Sequence, residues 1–301
     1  MAIGTTPPSP EQHQAAGRLF RWNFLLALVG QFTPRSLDTH LLGSLSLTVA
    51  VGQYNLASNL ARAGVDVFIS GFSAMLLPHL SRTQAEDGPD RVQGVFTAAP
   101  CAYQGFGLLV AGVGPLLPHA VISTPYGKNF AAATPVLPVM AVVGGANLPS
   151  GAYSAVLIAT DNNRLRLVYL IGRAAISFSS SLSFVLHYSH AGALISFIAC
   201  GIVGHLYMIS LTHFTIGLQF PARQILSQYS VAPGLILSLR ALLPYQTSAP
   251  FALFAALLYV LAFLFLSLTL GGWRHKDFAT LARQSSVLAW VLLHVYRKPL
   301  L

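Results

Sequence analysis

Apolar runs of about 20 residues, cut at intervals by short polar punctuation, constrain this chain more than any other feature. A stretch of that length and character spans the hydrocarbon core of a bilayer as a helix. Eight emerge, at about 22–46, 50–80, 95–120, 130–158, 165–186, 191–218, 231–243 and 250–270. The seventh is the shortest and brings Tyr229 and Arg240 close to its ends. Between the runs lie breaker clusters: EDGPD at 86–90, STPYG at 123–127, DNN at 161–163, HYSH at 187–190 and PYQTSAP at 244–250. The expected fold class is therefore all-α, an integral membrane helix bundle of about eight transmembrane helices.

Composition excludes the soluble alternative. Only 8% of residues are charged, 54% are hydrophobic, and mean hydropathy is +0.63. A soluble domain carries about 25% charged residues to cover its surface. The net charge of +9 would point to nucleic acid in a soluble protein, but here the basic residues are scattered between apolar runs and follow membrane topology instead. Cys101 and Cys200 both fall in apolar runs and imply no disulfide framework. The opening MAIGTTPPSPEQHQ does not have the pattern of a cleavable signal peptide.

With the N-terminus placed in the cytoplasm, Lys128 and Arg240 lie on the outer side and Arg35 and Arg62 at membrane depth. The other thirteen of the 17 basic residues, Arg173 among them, lie inside. That asymmetry sets orientation and puts both termini in the cytoplasm. The segment VLAWVLLHV at 287–295 is too short to cross and reads as an amphipathic stretch at the inner surface.

Four charges interrupt the apolar runs: Arg35, Asp38, Arg62 and Asp66. A charge at the centre of a membrane helix costs about 2.5–3.5 kcal/mol on insertion scales. Arg35 and Asp38 are three apart and Arg62 and Asp66 four apart, so each pair shares a helix face. Asn55 and Asn59, with Tyr54, continue the polar side of the second run. Two readings stay open. The pairs dock two helices, or they line a lumen where arginine attracts an anionic head group and an aspartate takes a proton or cation.

No phosphate-binding glycine loop, nucleophile elbow or zinc-protease motif is present, so no catalytic residue and no metal ligand is assigned. His187 and His190 are three apart but lack a neighbouring carboxylate or cysteine. The expectation is a transporter, with a membrane-bound glycosyltransferase as a lesser alternative.

Several stretches also resemble a known group. LDTHLLGSLSLTVAVGQYNLASNL at 37–60, SAMLLPHLSRT at 73–83, TPYGKNFAAATPVLPVMA at 124–141 and LTLGGWRHKDFATL at 268–281 are, in order and spacing, similar to the Wzx-like oligosaccharide flippases of the multidrug/oligosaccharidyl-lipid/polysaccharide exporter (MOP) superfamily. By this resemblance Asp38 falls on the acidic position of the first of these motifs. The resemblance covers the C-terminal half of such proteins, the second six-helix bundle plus two extra helices. It implies a cytoplasmic segment at 1–19, the bundle at 20–220, two additional helices at 221–272 and a cytoplasmic tail at 273–301.

It further implies translocation of undecaprenyl-pyrophosphate-linked sugar, or a related lipid-linked precursor, across the bacterial inner membrane for polysaccharide or O-antigen export. Alternating access would be driven by a proton or sodium gradient with no other cofactor. Expected partners are that lipid-linked substrate, membrane lipids and a second bundle from another chain or a second copy, without nucleic acid. A drug or cation antiporter of the same superfamily and an inactive truncated fragment are the alternatives.

Overall fold

The computed structural model describes residues 10–30, 34–45, 48–86, 89–217, 220–242 and 249–270, with some side chains inside these helices, Arg35 among them, outside the description. Among the described residues all regular structure is helical, in ten α-helices and one 3-10 segment. They are α1 (Pro10–Gly30), α2 (Pro34–Ser44), α3 (Thr48–Glu86), α4 (Pro89–Leu116), α5 (Pro118–Tyr126), α6 (Val136–Ala146), α7 (Ser150–Ala159), α8 (Asn163–Ile216), α9 (Ala222–Leu242) and α10 (Ala249–Thr269).

Local sequence explains most boundaries. Four helices begin on a proline, whose fixed φ suits the first helical position and whose missing N–H would be unpaired there anyway. Gly217, at φ 72°, ends α8 in the left-handed region, its N–H returning to the His213 carbonyl. Asn147-Leu148-Pro149 separates α6 from α7, and the Asn147 amide donates to the Val143 carbonyl at 2.7 Å.

Among the described residues, four helical stretches are long and apolar enough to cross a membrane. A fifth is added if α4 and α5, bent by 64° about Leu117, count as one. α8 is a hairpin. Its 54 residues would extend about 80 Å as one rod, well over twice the roughly 30 Å of a bilayer core. The rod breaks at Ser189 (φ 50°, ψ −122°). Ser181 then meets Ser196 at 3.0 Å, Tyr169 stacks on Tyr207, and Gly172 abuts the Tyr207 ring, so the arms run antiparallel.

α2 and α1 lie against α8, α3 lies against α4, α6 and α7, and α9 and α10 pack on α4. The closest crossing is α4 on α6. A Cβ added to Gly107 would fall 2.0 Å from the Gly145 carbonyl oxygen, and one on Gly145 would fall 2.1 Å from that of Gly107. Lipid tails are as apolar as leucine, so in lipid such backbone approach, rather than hydrophobic exclusion, holds helices together. Hydroxyl and amide groups of α9 and α10 add anchors. Tyr259 donates to the Leu108 carbonyl at 2.8 Å, Tyr229 to Ala146 at 3.2 Å, and Gln228 to Cys101 at 3.3 Å.

Several boundaries differ from the sequence expectation. The first run is not one helix, since α1 starts at Pro10 and ends at Gly30 and a separate α2 starts at Pro34. The fourth begins at Val136, after the 3-10 turn Lys128–Ala133. The seventh begins at Ala222 and is long and apolar enough to span, with Gln224 and Gln228 of its first turns buried in the bundle. Arg173 was placed with the cytoplasmic charges, yet it lies ten residues inside α8, between the arms. The amphipathic stretch at 287–295 lies outside the described residues.

Candidate functional site

Five of the six residues singled out by sequence separate into two places, and the side chain of the sixth, Arg35, lies outside the described residues. Asn59, Arg62 and Asp66 lie on the outward side of α3, together with Gly52 and Ala63. Four-residue spacing aligns Arg62 with Asp66, and Arg62 Nε donates to Asp66 Oδ2 at 3.0 Å. Both side chains stay open, 66% and 53% exposed. The opposite side of the same helix, Leu60, Ala61 and Gly64, faces α4, α6 and α10 around an apolar pocket of about 550 Å³.

This outward stripe contrasts with the outward side of α10 and with most exposed positions of α8. Exposed positions on α10 are Phe251, Phe254, Leu257, Leu261 and Phe265, and those on α8 include Ile171, Phe178, Leu182, Ile202 and Leu206. Helix faces of that kind suit acyl chains. Between positions 59 and 66 the outward side of α3 carries an amide, a guanidinium, a methyl and a carboxylate.

Asp38 is elsewhere. Its side chain is fully buried between α2, α3 and α8, and Oδ2 accepts the Tyr54 hydroxyl at 2.8 Å. Oδ1 has no partner in bonding geometry, although the Ser181 and Ser196 hydroxyls stand beside the carboxyl. Asn55 joins this seam through Oδ1, which accepts Thr39 Oγ1 at 3.2 Å. Tyr54, expected with Asn55 and Asn59 on one polar side, therefore turns inward to Asp38, while Asn59 lies outward. The pairing expected between Arg35 and Asp38 involves a side chain outside the described residues.

A polar ladder inside the α8 hairpin escaped the sequence reading. Tyr169, Arg173, Ser177 and Ser181 recur every four residues on the first arm, facing Ser196 and Cys200 on the second. Arg173 Nη1 donates to Tyr169 Oη at 3.3 Å, Cys200 neighbours both Arg173 and Ser177, and Ser196 meets Ser180 at 3.1 Å and Ser181 at 3.0 Å. Polar groups at a strict four-residue spacing within an apolar run were the available signal. Asp38 lies at one end of this row and Arg173 toward the other, while Ser177 Oγ between them makes no hydrogen bond.

Beside the second arm lies a pocket of about 530 Å³ between α6, α8 and α9, apolar apart from Asn147, His205 and Tyr229. Among the described residues no group of three histidine, cysteine or acidic side chains could hold a metal ion. No protein-family model matches the chain, and no curated protein is significantly similar to it.

Proposed function

We propose that this chain is a membrane flippase, or one wall of one, that moves a lipid-linked oligosaccharide by alternating access. The single observation that carries the reading is the exposed Arg62–Asp66 pair on a molecule whose other outward faces are largely apolar. Facing acyl chains, each charge would cost about 2.5–3.5 kcal/mol, and the mutual attraction of the pair offsets only part of the loss of hydration. Facing a wet passage, the pair is affordable and useful. It engages Arg62 through Nε, which leaves the terminal amino groups for a pyrophosphate oxygen fork.

In this reading the arms of α8 cross separately, α1 with α2 and α3 make two further spans, and eight crossings keep both termini on the cytoplasmic side of a bacterial inner membrane. Asp38 is the coupling group. A buried carboxyl with one oxygen unbonded, ringed by hydroxyls, suits a proton or sodium ion taken up in one state and released in the other. The similarity of 37–60 and 124–141 to Wzx-like flippases supports the substrate class.

The test is export of surface polysaccharide by cells carrying Arg62→Ala or Asp66→Ala in place of the wild-type chain. Loss of export with accumulation of lipid-linked precursor is expected. Full export by both variants, correctly inserted, would overturn the proposal.

A further inference from the structure

The pocket between α6, the second arm of α8 and α9 shares no residue with α3 and differs from it in chemistry. We infer that it binds a neutral lipid whose apolar chain ends in a single hydroxyl, taken up sideways from the bilayer. Its volume, about 530 Å³, falls in the range of small-molecule sites.

Local sequence makes the room. Asn147-Leu148-Pro149 ends α6, and the Asn147 amide turns back to the Val143 carbonyl at 2.7 Å. Gly201 of α8 packs on this pair. A Cβ there would fall 2.6 Å from Val143 Cγ1 and 2.8 Å from Asn147 Nδ2, so a larger residue would displace the amide. His205 stands one turn beyond Gly201, and Tyr153 of α7 holds its ring edge to face, the centroids 6.3 Å apart. From α9, Tyr229 reaches the Ala146 carbonyl at 3.2 Å. Three helices thus bring an amide, an imidazole and a phenol to one apolar pocket.

The walls select what enters. Val142, Ile202 and Leu206 line the pocket and are also exposed, so its mouth opens through a surface of the kind that meets acyl chains. A ligand arriving by that route is already dissolved in lipid. Among the described residues, no aspartate, glutamate, lysine or arginine lines the wall, and Arg173 neighbours the imidazole without joining it. A charged head group would therefore be buried without a counter-charge in the wall. The ligand is neutral.

The polar groups select the head. Beyond its bond to Val143, Asn147 has a second N–H and a carbonyl oxygen, and Tyr229 Oη, having donated, can still accept. The His205 imidazole lines the same pocket, its buried Nδ1 without a hydrogen-bond partner. Donors and acceptors stand together here. A hydroxyl answers both with one atom, whereas a carbonyl only accepts and a hydrocarbon does neither.

The test photolabels the full chain, reconstituted in phosphatidylcholine nanodiscs, with hexadecanol carrying a diazirine on its chain. Palmitate with the same diazirine is the anionic counterpart, and adducts are mapped by mass spectrometry. Hexadecanol adducts on the lining residues of α6 and α8 should be at least tenfold denser than on Leu257 and Leu261, which face outward on α10. Palmitate should show no such preference. Ile202→Trp, at the exposed rim, should block the mouth and lower pocket labelling at least fivefold, with α10 labelling unchanged as the control for insertion and folding.

Hexadecanol adducts no denser in the pocket than on α10 would mean ordinary lipid contact and would overturn the inference. So would equal enrichment of palmitate, or pocket labelling untouched by Ile202→Trp. None of these readouts uses export, so the flippase reading and the lipid site stand or fall separately.

Discussion

Tyr54 donates its hydroxyl to Asp38 Oδ2 across 2.8 Å, with neither side chain reached by solvent. That bond ties the short α2 to the long α3 and defines one oxygen of a carboxyl whose other oxygen is unbonded. Four consequences of the packing can be measured directly.

Tyr54→Phe leaves Asp38 Oδ2 buried without its donor. An unsatisfied buried polar group costs about 1–3 kcal/mol. Thermal unfolding in detergent should therefore begin several degrees lower. Asp38→Asn keeps an acceptor for the tyrosine and should cost less. A Tyr54→Phe protein as stable as wild type would refute the role given to this bond.

Gly145→Ala should be far worse than its size implies. The new methyl meets the Gly107 carbonyl 2.1 Å away, and neither backbone can yield without parting α4 from α6. Overpacking of this kind costs about 1–3 kcal/mol, and backbone contacts lie at the upper end. Gly234→Ala, with open space around it, is the control and should be neutral or slightly stabilising. Equal yields of folded protein from the two variants would contradict the crossing.

Ser189→Gly should raise the melting temperature. Ser189 sits at φ 50° and ψ −122°, a region that glycine enters freely and a residue with a Cβ does not. Relief of such strain is worth about 1 kcal/mol at a hairpin turn. Ser189→Val should lower the midpoint by at least as much. The reverse order would mean that the break in α8 lies elsewhere.

Arg173→Met tests whether the guanidinium in the hairpin is structural. Among the described residues its neighbours include Tyr169, Cys200, His205 and the backbone at Gly204. An apolar chain of similar length should leave stability within about 1 kcal/mol, since replacing a buried charge by a hydrophobe of like volume is often neutral. Arg173→Ala opens a void between the arms and should cost about 2 kcal/mol or more. A large loss for Arg173→Met, measured by the same unfolding assay, would show that the charge itself is needed.

Much of this was legible in the residues. The breaks at HYSH and at DNN fall where the hairpin turns and where α8 begins, since apolar runs must stop where the chain turns back. The pairing of Arg62 with Asp66 followed from a four-residue spacing alone. The seventh run reads as 231–243 in the sequence, and the helix extends back to Ala222, where Gln224 and Gln228 are buried and Gln228 bonds the Cys101 carbonyl. The count of charges near span ends groups Arg173 with the cytoplasmic residues, and the structure shows it packed between the arms of α8. That count has no knowledge of what stands across the helix.

The sequence by itself determined the class of fold. Long apolar runs can hide their backbone N–H and C=O groups only by bonding within each segment, which makes helices of them, several long and apolar enough to cross a membrane. Tertiary structure decided which side of each helix turns where. On α3, apolar and polar positions are separated by only 100° steps, and the side that packs is chosen by the glycines of α4 and α6 and by the reach of Asp38 to Tyr54. No local pattern holds that information, because it belongs to the neighbouring helices.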